Sequence, residues 1–504
     1  MTVLVAAAIA ATVSCTTTEP PQAVVPMSDA YRIYYEIFVA SFYDSDGDGM
    51  GDLSGVLQKL DYLNSGGKGR SLEVGGIWLM PIMASPSYHK YDVADYRSVD
   101  PAYGTLEDFK ALSAECAKRD VALIIDLPLN HTSDEHPWFE AAVGGDERYR
   151  SYYHFRTDFT ASHHAVTAPD GKLWYYEGHF GSHMPDLNLG DAEVRREILD
   201  ICKFWLDAGA TGFRLDAVAW FFSGNTRLNV EFLGWLNEQL RAYRPDVYLV
   251  GEAWSDGSTI VDLYQSGLPS FFNFPFSQST GALISSVRSA KGVDLARSLQ
   301  RWYEQLPSGA IDAPFLTNHD HARSASALMS DVVLQKQAAA VYLLLPGNPF
   351  IYYGEEIGMK GSGRDENKRT ALYWSLSDTR GMTDSPAYAD DIRPVVAGID
   401  VQHKQKDSLL NFYRSVTALK NRHPELARGT FKAIETVPPA VFAYSVEYQG
   451  KRLLVAHNLS AEPAVVKPDR TLRIVDYLSA GGKKQPRWSN GQVELPAYST
   501  IIMR

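Results

Sequence analysis

Asp216, Glu252 and Asp320 are the residues of this chain on which chemistry can be built. Each stands at or just past the end of a short apolar run: TGFRLDA, VYLVGEA and APFLTNH. Arg214 lies two positions before Asp216, so on an extended strand the two side chains share a face. A guanidinium there can keep the carboxylate ionised. Asp126 and His131 accompany a further run, VALIIDLPL, and His319 directly precedes Asp320. A lone strand-end aspartate is read as the cap of a following helix, but three carboxylates from three runs do not reduce to caps. An ionised carboxylate beside one with a raised pKa can serve as nucleophile and general acid.

A second acidic group lies near the start, in DSDGDGMGDLSG (44–55). Asp44, Asp46 and Asp48 alternate with small residues and Asp52 follows, much as an EF-hand loop opens. An EF-hand needs a helix on each side and a bidentate glutamate at position twelve. Here position twelve is Gly55 and the preceding segment, YRIYYEIF, reads as a strand. The signalling reading fails, which leaves either a metal loop of another kind or a solvated acidic turn.

The elements that must position these groups alternate in kind. Eight apolar or β-branched runs occur at 31–38, 75–82, 121–129, 211–217, 247–253, 270–276, 313–319 and 350–356. Between them lie amphipathic stretches such as LEDFKALSAECAKR and VRREILDICKFWLDAGA, with apolar residues at helical spacing. Strand–helix alternation eight times over predicts a (β/α)8 TIM barrel, with chemistry at the C-terminal strand ends. The gap between strand three, near Leu129, and the helix beginning near Ala192 is too long for a loop and predicts an inserted subdomain. From Gly429 the runs AVFAYSVEY, KRLLVAHNL, TLRIVDYL and STIIMR predict a C-terminal antiparallel β-sandwich. The expected organisation is barrel at 30–130 and 188–428, inserted domain at 131–187, and β domain at 429–504.

Composition sets the limits. A formal charge of −12 disfavours nucleic acid or an anionic membrane surface as partner. Aromatic residues make up 12%, which serves core packing or stacking on sugars. The opening MTVLVAAAIAATVSC (1–15) has the length of a signal peptide. Cys15, followed by a flexible tether at 16–29, resembles a bacterial lipoprotein acylation site, although no Lys or Arg precedes the apolar run and Thr12 stands where such sites usually carry Leu. Export is expected, to the periplasm, the cell surface or the medium, with any membrane attachment through that lipid. A monomer is expected. Cys116 and Cys202 lie in helical, apolar-periodic segments and read as core residues.

Taken in order, DLPLNH (126–131), GFRLDAVAW (212–220), VGEAW (250–254) and FLTNHDHAR (315–323) resemble the four signature regions of the α-amylase family of glycoside hydrolases. MPDLN (184–188) is similar to a fifth region, that of the group intermediate between oligo-1,6-glucosidases and neopullulanases. The resemblance covers about residues 30 to 504. It implies a retaining double displacement, with catalytic carboxyls roughly 5–5.5 Å apart. Asp216 would be the nucleophile, Glu252 the general acid and then base, and Asp320 the residue favouring the distorted sugar ring. By the same resemblance His131 and His319 hydrogen-bond the sugar, Tyr91 stacks beneath it, Arg214 supports the nucleophile, and Asp365 with Arg369 closes the non-reducing side.

The resemblance also bears on substrate and metal. Ala217 after the nucleophile is the residue found in enzymes acting on α-1,4 links, which implies an α-amylase acting on starch-like glucans or maltooligosaccharides. An α-glucosidase, a cyclomaltodextrinase or a transglycosylase shares the same machinery. A sugar-binding protein that has lost catalysis is the reading from a different class, and the intact acidic trio separates it from an enzyme. The first loop is similar to a calcium site of oligo-1,6-glucosidase-like relatives, implying Ca2+ held by Asp44, Asp46, Asp48 and Asp52 with the Met50 carbonyl. A second calcium site of many α-amylases uses an Asn near Asn130 and a His four residues after the nucleophile; that place is Trp220, so no second site is expected.

Overall fold

A computed structural model describes residues 32–161, 163–390, 394–482 and 484–504. The leader, the tether and Cys15 lie outside the described residues.

Eight parallel strands form one sheet: β1 (Tyr34–Ile37), β2 (Gly76–Leu79), β3 (Ala122–Leu127), β4 (Gly212–Leu215), β5 (Tyr248–Gly251), β6 (Ser270–Phe272), β7 (Ile311–Ala313) and β8 (Phe350–Tyr352). Neighbours run β7-β6-β5-β4-β3-β2-β1-β8. A parallel bridge between Phe315 and Phe350 and the bond from Phe350 N to Pro314 O, 2.9 Å, close β8 onto the β7 side. The chain therefore folds as the expected TIM barrel. Its strands are almost wholly buried, which is why they read as continuous apolar runs and not as alternating ones.

Three strands depart most from expectation, the eighth ending at Tyr352 and not at 356. Strand seven is Ile311–Ala313 and not 313–319, because its neighbour β6 ends at Phe272, opposite Ala313. Most of APFLTNH is thereby released as loop, and that loop carries His319 and Asp320 to the mouth. The sixth strand stops at Phe272, ahead of Asn273 and Pro275.

Helices pack outside the barrel. Leu106–Ala117 begins with a capping box between Thr105 and Asp108, and Ala192–Ala208 begins under an Asp191 cap and ends at Gly209 in the left-handed conformation. Each buries one apolar stripe: Phe109, Leu112 and Cys116 in the first, Ile198, Cys202 and Trp205 among others in the second. Both cysteines are buried and free, as expected of core residues.

Between β3 and Ala192–Ala208 the chain forms two short helices and a three-stranded antiparallel sheet of Phe155–Arg156, Leu173–Glu177 and His163–Thr167. This insertion leaves and rejoins the barrel at one seam: Leu187 N donates to Asn130 O at 2.8 Å and Thr132 N to Pro185 O at 3.1 Å. MPDLN is thus stitched onto the end of DLPLNH, which seats His131 at the barrel mouth.

After Gly429 a five-stranded and a three-stranded antiparallel sheet enclose a second core of Val441, Ala456, Val466, Val493, Leu495 and Ile501 among others. No helix among the described residues is long and apolar enough to cross a membrane.

Candidate active site

The site is organised by one buried cation. Arg214 on β4 sits in register with Asp126 on β3 and has no exposed side-chain surface. Its Nη1 lies 2.8 Å from Asp126 Oδ1 and 2.5 Å from Asp216 Oδ1, and its Nη2 lies 2.9 Å from Glu252 Oε1. Asp216 and Glu252 are the first residues beyond β4 and β5, and the backbone bond from Glu252 N to Leu215 O, 2.8 Å, keeps these strand ends aligned. Three carboxyls so close repel, and only a shared guanidinium makes their burial tolerable.

The two catalytic candidates differ in surroundings. Burial pushes Glu252 up to about 7; Asp216 and Asp320 push the same way, and Arg214 opposes. Its Oε2 accepts from the backbone N–H of Ala217 at 3.0 Å. Asp216 lies against the same guanidinium and borders the cleft. One acid is thus kept protonated near neutrality beside a carboxylate that faces a fixed positive charge, the arrangement nucleophile and proton donor require. Asp126, also raised to about 7 chiefly by burial, is fully buried and serves structure: it accepts from Tyr91 Oη at 2.9 Å and from Trp78 Nε1 at 3.3 Å.

Asp320 comes from the loop after β7. Its Oδ1 accepts from Arg369 Nη2 at 2.9 Å, and Oδ2 lies 3.1 Å from His319 Nε2. Desolvation would raise its pKa, but these two cations hold it well below the usual carboxylate range. Asp320 therefore holds its charge to lower pH than Glu252 does. Arg369 also donates to Tyr88 Oη at 3.0 Å.

A cleft of about 290 Å³ opens over these groups, lined by Tyr91, His131, Asp216, Glu252, Asp320, Asp365 and Arg369 of the expected residues. Arg214 and His319 stand behind it. Neither ring nitrogen of His131 has a hydrogen-bonded side-chain partner, and burial, which lowers its pKa, disfavours the imidazolium at the cleft wall. Asp365 and Arg369 do not pair with each other: Asp365 binds Lys368 Nζ at 2.7 Å, and Arg369 binds Asp320.

The sequence reading missed two features. Glu36 on β1 lies 2.5 Å from His319 Nδ1; an acid at an inward strand position was the available signal. Trp220 and Trp254 also line the cleft, 39% and 49% exposed, which leaves flat faces open to solvent. Trp220 stacks on His179 with centroids 3.8 Å apart, while Asn130 donates to Asp186 at 2.8 Å.

The acidic loop after β1 gathers carboxylate oxygens of Asp44, Asp46 and Asp48 within 4.8 Å of one another. Asp52 does not join them. Its oxygens accept from Ser45 and, at 2.7 Å, from Gly55 N, so it caps the helix Leu53–Gln58. The loop is held by backbone bonds from Asp44 N to Gly381 O, 3.1 Å, and from Asp384 N to Gly49 O, 2.7 Å.

A profile of the α-amylase catalytic domain matches residues 36–429. The chain belongs to the α-amylase family of glycoside hydrolases. A second profile, of the C-terminal domain of the α-amylase SusG, matches residues 441–502. The chain is 35% identical to Alpha-amylase 3 of Dictyoglomus thermophilum, covering 94% of this chain and 93% of that one. It is 28% identical to the oligo-1,6-glucosidase of Parageobacillus thermoglucosidasius, over 87% of this chain and 92% of the other. Among solved structures it is similar to Eubacterium rectale Amy13B, with a TM-score of 0.88 and 39% identity over 95% of this chain and 96% of that one. Kinship with both α-amylases and oligo-1,6-glucosidases is consistent with the intermediate group of the family.

Proposed function

We propose that this family member hydrolyses α-1,4-glucosidic bonds of starch or maltooligosaccharides, as an α-amylase, with retention at the anomeric carbon. The observation that carries the mechanism is the single guanidinium of Arg214 bridging Asp216 and Glu252, with Glu252 raised to about 7. In the first step Asp216 attacks the anomeric carbon while Glu252 gives its proton to the departing glycosidic oxygen. In the second, Glu252 takes a proton from water, and that water displaces Asp216 from the same carbon. Asp320, ionised by His319 and Arg369, would bind the hydroxyls of the distorted ring. Tyr91 would stack beneath that ring, His131 would meet its hydroxyls, and Asp365 with Arg369 would bound the non-reducing side.

Ala217 favours α-1,4 over α-1,6 links, and the identity to Alpha-amylase 3 points the same way. The second reading is an α-glucosidase, favoured by the match to oligo-1,6-glucosidase. Product analysis on soluble starch, maltotriose, a cyclodextrin and isomaltose separates them, with Asp216→Asn as control. Rapid loss of starch viscosity supports the α-amylase. Glucose release from short chains with starch untouched overturns it.

The loop after β1 fits a hard cation, since its donors are carboxylate oxygens brought within 4.8 Å. Asp44, Asp46, Asp48 and Asp52, the last also capping its helix, with the Met50 carbonyl, would hold Ca2+ as a clamp between this loop and the segment at 381–384. When bound, the ion supplies positive charge to the cluster and takes no part in bond cleavage. We further propose export through the leader, with Cys15 as the acylated residue; palmitate labelling lost in Cys15→Ala tests it.

A further inference from the structure

Glu36 stands in the middle of β1, where barrel interiors carry apolar side chains, and it is 1% exposed. A buried acid there needs a partner, and that partner is His319. The imidazole has an acceptor on each side. Nδ1 lies 2.5 Å from Glu36 Oε1; Nε2 lies 3.1 Å from Asp320 Oδ2 and 2.7 Å from Tyr91 Oη. Tyr91 gives its own hydroxyl hydrogen to Asp126 at 2.9 Å, so its oxygen accepts from His319 and Nε2 must carry a hydrogen. A neutral imidazole has one N–H. With Nε2 occupied, a second proton is required between Nδ1 and Glu36. The ring cannot turn to escape this, since Tyr91 stacks on it at 5.5 Å and the edge of Trp78 meets it at 5.8 Å.

We propose that Glu36 is a positioning residue of the active site: it occupies Nδ1 so that His319 holds an N–H on Nε2 toward Asp320 and Tyr91, and a positive charge beside Asp320. Glu36 touches no substrate and acts through His319. Charge around the pair supports this. Burial raises Glu36 and would lower His319, yet the facing charges of Asp320 and Glu36 raise the imidazole to about 9 and so favour the proton on the ring. The other charged and titratable groups facing the pair are Asp126, Arg214, Glu252, His321, Arg369, Tyr91 and Tyr352. Of these, Arg214 and Arg369 are fixed cations and burial lowers His321 to about 4, so His319 is the imidazolium beside Asp320 that rising pH removes.

The inference rests on the glucan-hydrolase reading. Its test is Glu36→Gln, which keeps the shape and an acceptor but removes the negative charge. The expected result is a folded enzyme whose kcat deficit relative to wild type grows at least tenfold from pH 6 to pH 8.5, as His319 deprotonates earlier. In parallel, 15N NMR of histidine-labelled wild type should show an imidazolium at His319 through pH 8. In Glu36→Gln its titration should fall by a pH unit or more. A deficit flat in pH, with the titration unmoved, overturns the inference and leaves Glu36 a space-filling residue. A wild type titrating His319 near the ordinary value overturns it even if the variant does not fold. Inactivity of wild type on every glucan would instead remove the hydrolase reading and leave the titration to stand.

Discussion

The barrel mouth and the loop after β1 both crowd carboxylates together, and they tolerate the repulsion in different ways. At the mouth Asp126, Asp216, Glu252 and Asp320 are set against Arg214, Arg369 and His319, with the cations themselves buried. In the loop Asp46 and Asp48 are exposed, and Asp44 accepts from the N–H groups of Gly47 at 2.6 Å and Gly49 at 2.8 Å. Desolvation acts against Asp44, but these amides hold it below its ordinary value. Burial and side-chain cations together split the proton affinities of neighbouring acids: burial lifts Glu252 to about 7 against the pull of Arg214, while His319 and Arg369 bring Asp320 down. Backbone amides and solvent only keep acids ionised. The first arrangement can move protons, and the second can hold a cation.

The largest break in that contrast comes from the nucleophile. Asp216→Asn should lower kcat at least about a thousandfold with thermal stability nearly unchanged, measured on starch and by calorimetry. Arg214→Met comes next, because it strips the shared cation from three buried carboxyls. Removing one partner of such a group costs about 3–5 kcal/mol. The loss should be larger at pH 8 than at pH 5, since Asp126 and Glu252 take up protons below about 7 and shed the unpaired charge. Urea melts at the two pH values check both size and sign.

Wild-type kcat/KM should fall about tenfold per pH unit above about 7, as Glu252 loses the proton it must donate. In the loop, chelation or Asp44→Ala should lower Tm by roughly 5 °C while leaving the pH profile in place. An unchanged Tm would mean the acidic turn stands without metal. The smallest effect is expected at the rim. Trp254→Ala removes a half-exposed ring stacked on Phe274 and should raise KM for long glucans about fivefold, with kcat kept.

Much of this was legible in the residues themselves. Arg214 two places before Asp216 announced the ion pair, because side-chain alternation on a strand is fixed by geometry. The long gap after Leu129 announced the insertion. Strand seven was misplaced because apolar content says nothing about where its neighbour β6 ends, opposite Ala313. The second role of Asp52 was not read: an aspartate directly before a helix also caps its N–H groups, as Asp52 does for Leu53–Gln58. Glu36 was passed over because a single acid in YYEIF has no local partner. His319, which explains it, lies 283 positions away in sequence.

The central claim is that Asp216 and Glu252 act in turn on one anomeric carbon, so that configuration is retained. Proton NMR of fresh wild-type digests of maltooligosaccharide reads this directly, before mutarotation mixes the anomers. The α-anomer of the newly formed reducing end should appear first. First appearance of the β-anomer would contradict the double displacement and the roles assigned to both residues.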